Sequence, residues 1–570
     1  MTDRILALHR ADLDAAAQLL AQLRASGDVD DSAVVTVFDP VMHTYAVLNG
    51  HSRVQLIPLP FCDVSTGATP RAWSATRSLC AAVEKVLVDE LPAAAGAAWC
   101  GHWLQFVHLV SLGWQSIALH VAQRLKGDRI HVLLPDSPYA FGFHSFLPGV
   151  VVSDVLRSAG LDVKLYGSGL PPADAPLLPD VQPSDGTAAP DLLVHLPTCF
   201  YDVATFVEEV QASGRRALVL PAQFYDVPTD GLPRCAMVAP AVLATRLPDV
   251  ELACIDRLLG RLADLLGRQL APFVPAAGLL QRQVAALLEG FRHNALVFFS
   301  LEQALGQRPP RALLLSNHEG GFHGALFSFA HRHAARLVLV PHSKIFNVPV
   351  KSRGHDVLCL THPLQAGDVF DLNGDRLSTA YLDFRAPLQH SGAPPRQLAT
   401  LGIVLNSLSD TGMVVPDLQA YVDGLRRLLH WCSAHRVACR IRSRPNGSAL
   451  VMLSAALGVT PESLADQQCG SITDFGSGCD LVIGYDTPTS GLFELLAQGM
   501  PVVQGLCRRL GLEEWTIVDH HVVPQHHVAP LLAELEAWHA DPLALWRFSR
   551  DQQARLAARR AAALPLRHWL

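Results

Sequence analysis

Two clusters of residues in this chain have the types and spacing that chemistry needs. The first runs from Leu481 to Val503, LVIGYDTPTSGLFELLAQGMPVV. It reads as a buried strand from Leu481 to Ile483, a small polar loop from Gly484 to Ser490, and an amphipathic helix with Leu492, Leu495 and Leu496 on one face. Glu494 stands near the first turn, Gly499 stops the helix, and Pro501-Val502-Val503 opens the next strand. A loop carrying Thr487, Thr489, Ser490 and Gly491 into a helix N-terminus offers hydroxyls and free backbone N–H groups beside a positive dipole end. That arrangement suits a phosphate or diphosphate. Ordinary capping is the plainer use of the same residues. Upstream, Cys439-Arg440-Ile441-Arg442-Ser443-Arg444-Pro445-Asn446 reads as a short strand that delivers Arg442 and Arg444 ahead of a proline turn. Two guanidiniums there supply the charge and forked donors that a nucleotide diphosphate needs. Each would otherwise be a solvated surface residue.

The second cluster follows two strands nearer the middle of the chain. One stretch is Ser316-Asn317-His318-Glu319-Gly320-Gly321-Phe322-His323-Gly324, the other Val340-Pro341-His342-Ser343-Lys344. The glycines let backbone approach a ligand closely, and the imidazoles and Glu319 can take a proton near neutral pH. The competing reading has these histidines capping helices or satisfying loop carbonyls. His318 and His323 are five apart and so lie on different faces of a helix, which excludes a zincin-type HExxH site. Asp519, His520, His521, His526 and His527 gather without a known ligand spacing, and no metal site is expected. No GxxxxGK[ST] occurs, and Gly167-Ser168-Gly169 and Gly476-Ser477-Gly478 lack the strand-loop-helix frame of a dinucleotide fingerprint.

The elements that must position these groups alternate between strand and helix. Strands are expected at Arg4 to His9, Ala33 to Phe38, Arg53 to Ile57, Ile130 to Leu134, Val163 to Tyr166, Leu192 to Leu196 and Ala217 to Leu220. Helices are expected at Ala11 to Ala25 and near Val152 to Ala159. Such alternation builds parallel sheets. Residues 240–307 carry Leu, Ala and Arg at helical spacing and form a helical insert. Leu313 to Leu315 and Leu337 to Val340 resume the strand pattern, and Asp136, beyond the Ile130 to Leu134 strand, is a further candidate base. Pro171 to Asp191 reads as a surface loop, and SGAPPR, Ser391 to Arg396, as a linker. Beyond it, Leu401 to Leu405, Cys439 to Ile441, Leu481 to Ile483 and Val502 to Val503 are strands separated by helices.

With 570 residues the chain needs more than one core. Half its residues are hydrophobic and 17% are charged, so burial is ample. A net charge of −7 argues against a nucleic-acid partner. The twelve cysteines form no CxxC pair and read as buried thiols in a reducing compartment. The acidic N-terminus has no secretory h-region. The uncharged stretch from Leu91 to Gln123 carries His102, Gln105, His108, Gln115 and His120, costly in lipid, so it reads as a buried helix. Arg555, Arg559 and Arg560 give the last helix a basic face, suited to solvent or to an anionic membrane surface.

The C-terminal third resembles the nucleotide-sugar-binding half of GT-B glycosyltransferases, nearest in character to bacterial capsule and surface polysaccharide enzymes, including teichoic-acid glycerophosphotransferases. Those proteins carry a basic-Pro-His-Pro turn and later an acidic residue ahead of a G-x-PVV strand. Arg444-Pro445-Asn446 and Asp480 to Val503 stand in those places, with Asn446 where histidine is usual and Glu494 in the acidic position. An HG pair ends the family's equivalent first-domain strand, where this chain has His342-Ser343. The resemblance covers residues 397–545 well and 311–365 loosely.

The expected fold is therefore α/β, two doubly wound Rossmann-like domains facing a cleft. Residues 1–390 form the acceptor side, 397–545 the nucleotide-sugar side, and 546–570 a terminal helix. The expected activity is transfer of a sugar from a nucleotide-activated donor to a glycan, lipid-linked or protein acceptor by a cytoplasmic bacterial enzyme, without metal or other cofactor. Its expected donor site comprises Arg442, Arg444, Asn446, Tyr485, Asp486, Thr487, Thr489, Ser490, Gly491 and Glu494; the base is His342, His318 or Glu319. A phosphopolyol transferase, a sugar-nucleotide 2-epimerase and a non-catalytic nucleotide-sugar-binding or scaffolding protein share the architecture and remain open.

Overall fold

Short apolar runs of Leu, Ile and Val fold here into three parallel sheets. The structure, a computed structural model, describes residues 2–8, 12–38, 40–58, 78–79, 81–91, 114–133, 148–167, 177–182, 189–196, 203–221, 229–272, 274, 277–315, 322–340, 357–360, 379–381, 396–405, 418–442, 450–459, 471–486, 491–507, 522–561 and 564–570. The first sheet holds β1 (Asp3–Leu6), β2 (Val34–Val37), β3 (Val54–Leu56), β4 (Arg129–Leu133) and β5 (Asp162–Tyr166), in the order β3-β2-β1-β4-β5. β6 (Leu178–Asp180) pairs antiparallel with β9 (Ala236–Val238). The middle sheet holds β7 (Leu192–His195), β8 (Ala217–Val219), β10 (Ala312–Leu315), β11 (Arg336–Leu339), β12 (Val357–Leu360) and β13 (Thr379–Tyr381), in the order β13-β12-β11-β10-β7-β8. The C-terminal sheet holds β14 (Thr400–Leu405), β15 (Ala438–Arg442), β16 (Leu481–Tyr485), β17 (Val502–Leu506) and β18 (Gln525–His527), in the order β15-β14-β16-β17-β18.

One sheet was expected before residue 390, and the strands there divide into two. Strand-helix alternation specifies parallel pairing but not which strands join, because hydrogen-bond partners lie far apart in sequence. The described residues thus hold three parallel sheets, two of them before residue 390. The first sheet is covered on both faces. Leu6, Ile130 and Val132 pack into a core that continues through helix Asp249–Leu270 to Leu193, Leu313 and Leu315 of the middle sheet. Ile5, Val35 and Val37 point the other way, into a core shared with Leu401, Ile403 and Ile483 of the C-terminal sheet. Successive strand residues face opposite sides, so neighbours such as Ile5 and Leu6 serve different cores.

The expected helical insert is present as two long helices, Asp249–Leu270 and Ala277–Leu305. Ile255, Leu258, Leu262, Leu266 and Leu270 recur every three or four residues and form a buried stripe on the first. Within the stretch from Leu91 to Gln123 the described part is a helix over 114–124, with Trp114, Ile117, Ala118 and Val121 buried. Among the described residues no helix is long and apolar enough to cross a membrane. The last helix spans Pro542–Arg560, earlier than expected, and is followed by a short turn at Leu566–His568. Leu566 and Leu570 there pack against Leu192, Val194 and Ala312, bringing the chain back to the middle sheet. The expected linker lies outside the described residues except for Arg396.

Candidate functional site

In the middle and C-terminal sheets the chain reverses its winding direction once, between β7 and β10 and between β14 and β16. Helices leave opposite faces of the sheet on the two sides of such a point, and a crevice opens beyond the strand carboxyl ends.

At the C-terminal sheet three neighbouring strands end nearly level, since Arg442 lies opposite Val404 and Leu405 opposite Tyr485. Arg442 is half-buried at the end of β15, and its Nη1 donates to the Ser471 carbonyl over 3.1 Å. Ser471 caps helix Ile472–Ser477 in a reciprocal box with Asp474. The Ser471 hydroxyl and backbone N–H hold the Asp474 carboxyl below its ordinary value, and the Arg442 charge adds to this. Arg440, two residues earlier and on the same strand face, donates to the Phe475 carbonyl (3.0 Å) and lies over the Phe475 ring. The guanidinium row of β15 is thus anchored along one short helix.

Two expected donor contacts are corrected. Tyr485 is wholly buried, its ring edge-on to Tyr421 at 4.8 Å, and its hydroxyl donates to the Tyr421 carbonyl (2.6 Å). Burial pushes its pKa up. Strand alternation explains this, because Tyr485 shares the inner face with Leu481 and Ile483. Asp486 is 2% exposed and adopts a left-handed backbone with φ +66°, which Asp tolerates better than most residues. Its N–H donates to the Gly505 carbonyl, and its carboxylate accepts from the Cys507 thiol at 2.9 Å. The side chain is committed to tying β16 to β17.

The helix after β16 spans Gly491–Ala497, and Leu492, Leu495 and Leu496 are buried together on Val482 and Val502, as the sequence spacing requires. Glu494 lies in its first turn, half-buried. Arg444, Asn446, Thr487, Thr489 and Ser490 lie outside the described residues, as do His318, Glu319, His342 and Asp136.

The middle sheet brings up a residue that sequence reasoning missed. His195 ends β7 opposite Leu315 of β10 and is completely buried. Its Nδ1 lies 2.8 Å from the Leu220 carbonyl, and its Nε2 has no hydrogen-bond partner among the described residues. Burial lowers its pKa to about 4. The ring packs on Phe322 (4.4 Å between centroids) and edge-on to His323 (5.0 Å). His323 opens helix His323–Arg332, whose start is fixed by Asn294, its Oδ1 accepting from the Ala325 N–H. The available signal was the one that marked His342: a histidine ending an apolar strand. A third polar chain, Asp3–His131–Tyr166, has bonds of 2.9 and 3.0 Å and crosses the first sheet from the amino end of β1 to the last residue of β5. Among the described residues no three His, Cys, Asp or Glu side chains assemble as metal ligands.

No protein-family model matches the chain, and no curated protein matches it. Solved structures do. A spinosyn rhamnosyltransferase, SpnG, complexed with spinosyn aglycone is 14% identical over 65% of this chain and 97% of its own, with a TM-score of 0.32. An E. coli trehalose-6-phosphate structure bound with UDP-2-fluoro glucose is 11% identical, covering 66% and 97%, with a TM-score of 0.34. A UDP-N-acetylglucosamine 2-epimerase is 8% identical over 66% of this chain and 94% of its own, with a TM-score of 0.29. Likeness at these scores carries no weight in assigning an activity to this chain.

Proposed function

We propose that this chain is a glycosyltransferase of the GT-B kind, moving a sugar from a nucleotide-activated donor to a glycan or lipid-linked acceptor. The observation that supports it most is the level carboxyl edge of β15, β14 and β16. Arg442 ends one of these strands, and Arg444 and Asn446 follow it in the chain. Thr487, Thr489 and Ser490 follow another, ahead of the helix that carries Glu494. A departing nucleotide diphosphate needs its growing negative charge stabilised, and guanidiniums with backbone N–H groups do this without a divalent cation. Glu494 would accept hydrogen bonds from ribose or sugar hydroxyls. The base that takes the acceptor proton would come from the segments after β10 and β11, where His318, Glu319 and His342 reside.

A thermal-shift panel of UDP-, GDP-, CDP- and dTDP-linked sugars, with CDP-glycerol beside them, tests the reading, since a bound ligand raises the melting temperature by mass action. A rise with one nucleotide sugar, and release of its nucleotide only when an acceptor is present, is the expected result. A rise with CDP-glycerol alone reassigns the chain to phosphopolyol transfer, and interconversion of the donor without acceptor reassigns it to epimerisation. No rise with any of them ends the proposal.

A further inference from the structure

The short helix Ile472–Ser477 is fastened on two sides to the elements that carry Arg442 and Glu494. Toward β15, the Ser471 carbonyl accepts from Arg442 Nη1 (3.1 Å), and the Phe475 carbonyl accepts from Arg440 Nη1 (3.0 Å). The two arginines stand two residues apart on one strand face, so both reach the same helix. Toward the Gly491–Ala497 helix, the Leu495 side chain lies where a Cβ on Gly476 would be. Gln498, just past that helix, donates from Nε2 to Thr473 Oγ1 (2.8 Å). Phe475, Leu492, Leu495 and Leu496 share one core with Val404 and Val482. The run Gly476-Ser477-Gly478, which is no dinucleotide fingerprint, therefore serves close packing: a Cβ on Gly478 would meet the Arg440 guanidinium in the same way.

The start of the Ile472–Ser477 helix is held by a closed set of bonds. Asp474 Oδ2 accepts from the Ser471 backbone N–H (2.9 Å) and from its hydroxyl (2.7 Å), while the Ser471 hydroxyl accepts from the Asp474 N–H (3.1 Å). These bonds fix Ser471, and with it the carbonyl that orients Arg442. A long arginine side chain loses much rotamer freedom when it is ordered, so a guanidinium already held engages a phosphate at smaller entropic cost. Asp474 also carries a negative charge, which by itself repels a phosphate. Its positioning effect and its charge effect on anion binding thus have opposite signs.

We infer that the Ile472–Ser477 helix is a bracket that orients Arg442 for the nucleotide diphosphate, with Asp474 as a positioning residue that acts through the Ser471 carbonyl. The inference rests on the glycosyl-transfer reading for its ligand. Asp474 touches neither donor nor acceptor in this scheme, and the bracket joins Arg442 to the helix that bears Glu494.

The test uses the full chain labelled with 15N-arginine, with the Arg442 Nε signal assigned by its loss in Arg442→Lys. In the ligand-free wild type the heteronuclear NOE of that Nε should be that of an ordered group. In Asp474→Ala, whose methyl accepts nothing, it should fall toward that of a solvated arginine. Asp474→Asn, whose amide oxygen still accepts, should restore it. Titration with inorganic pyrophosphate and with UDP should follow the same order. Asp474→Ala should weaken binding about fivefold, the usual worth of a helix cap. Asp474→Asn should bind as well as the wild type or better, because a repulsive charge has gone. On an Arg442→Ala background, Asp474→Ala should bring no further loss. Affinity that rises in Asp474→Ala as it does in Asp474→Asn makes Asp474 a mere counter-charge and overturns the inference, as does an Arg442 that is mobile in the wild type. Ser471→Ala, which removes one exposed hydroxyl from the same set of bonds, is the second variant where Asp474→Ala folds poorly, and the wild-type measurement needs neither. If Nε loses order in Asp474→Ala while neither anion binds the wild type, the bracket stands and the donor reading falls. If the anions bind and Nε order ignores Asp474, the donor reading stands and the bracket falls.

Discussion

The middle and C-terminal sheets share one winding scheme, with the second strand on one side of the first and later strands on the other, yet their carboxyl edges differ in chemistry. β15 and the helices beside it bring Arg442, Asp474 and Glu494 to one edge, half-buried or exposed and charged. The edge at β7 and β10 presents a neutral buried imidazole between aromatic rings. Topology therefore fixes where a crevice opens, and the residues at the strand ends fix what it can hold. The described part of the first edge carries the charge that a diphosphate needs, and the described part of the second sets an imidazole against aromatic rings.

The largest effect should come from the proposed base. His342→Ala should lower turnover by about 10²–10⁴-fold, the worth of a positioned proton acceptor, with nucleotide affinity unchanged. His318→Ala and Glu319→Gln rank the alternatives, and near-normal turnover in all three would remove the base from these segments. Next comes acid sensitivity. His195 is held neutral in the folded chain, with a pKa near 4 against an ordinary 6.5. Below 6.5 the unfolded chain binds a proton that the folded chain refuses, so stability present above that pH is lost as pH falls through about 4. At about 1.4 kcal/mol per pKa unit the loss is roughly 3 kcal/mol. Urea unfolding across that range should show it, and His195→Asn should flatten the slope; an unchanged slope would mean that the imidazole protonates in place.

At the charged edge, Arg442→Ala should weaken nucleotide binding by about 1.5–3 kcal/mol, and Arg442→Lys should also weaken it because the fork is lost. Calorimetric titration checks both, and unchanged affinity in a folded variant would leave the edge without its phosphate role. A smaller effect separates core from site. Tyr485→Phe removes the hydrogen bond to the Tyr421 carbonyl and should cost about 1 kcal/mol of stability, while nucleotide affinity stays the same. A loss of affinity there would restore Tyr485 to the donor site. The smallest effect concerns chelation: turnover should persist in excess EDTA, and activity lost in chelator but recovered with magnesium or manganese would replace the guanidinium role with a metal ion.

Local pattern made much of this chain legible. The run LVIGY, the spacing of Leu492, Leu495 and Leu496, and the periodic leucines from Ile255 to Leu270 correspond to the observed strand and helices, because period 2 and period 3.6 are properties of the backbone itself. Arg442 at a strand end was legible for the same reason. Side-chain fate was less so. Tyr485 and Asp486 looked like loop donors from composition, yet β16 extends two residues beyond the expected Ile483, and its alternation turns the Tyr485 phenol into the core.

Tertiary structure alone decided the rest. That the strands before residue 390 form two sheets, that Ile5 and Leu6 serve different cores, and that His195 lies against Phe322 and His323 more than a hundred residues away all depend on long-range pairing. Sequence periodicity specifies which face of an element is apolar. Which other element covers that face is set by the competition among all apolar surfaces of the folded chain, and no local window contains that information.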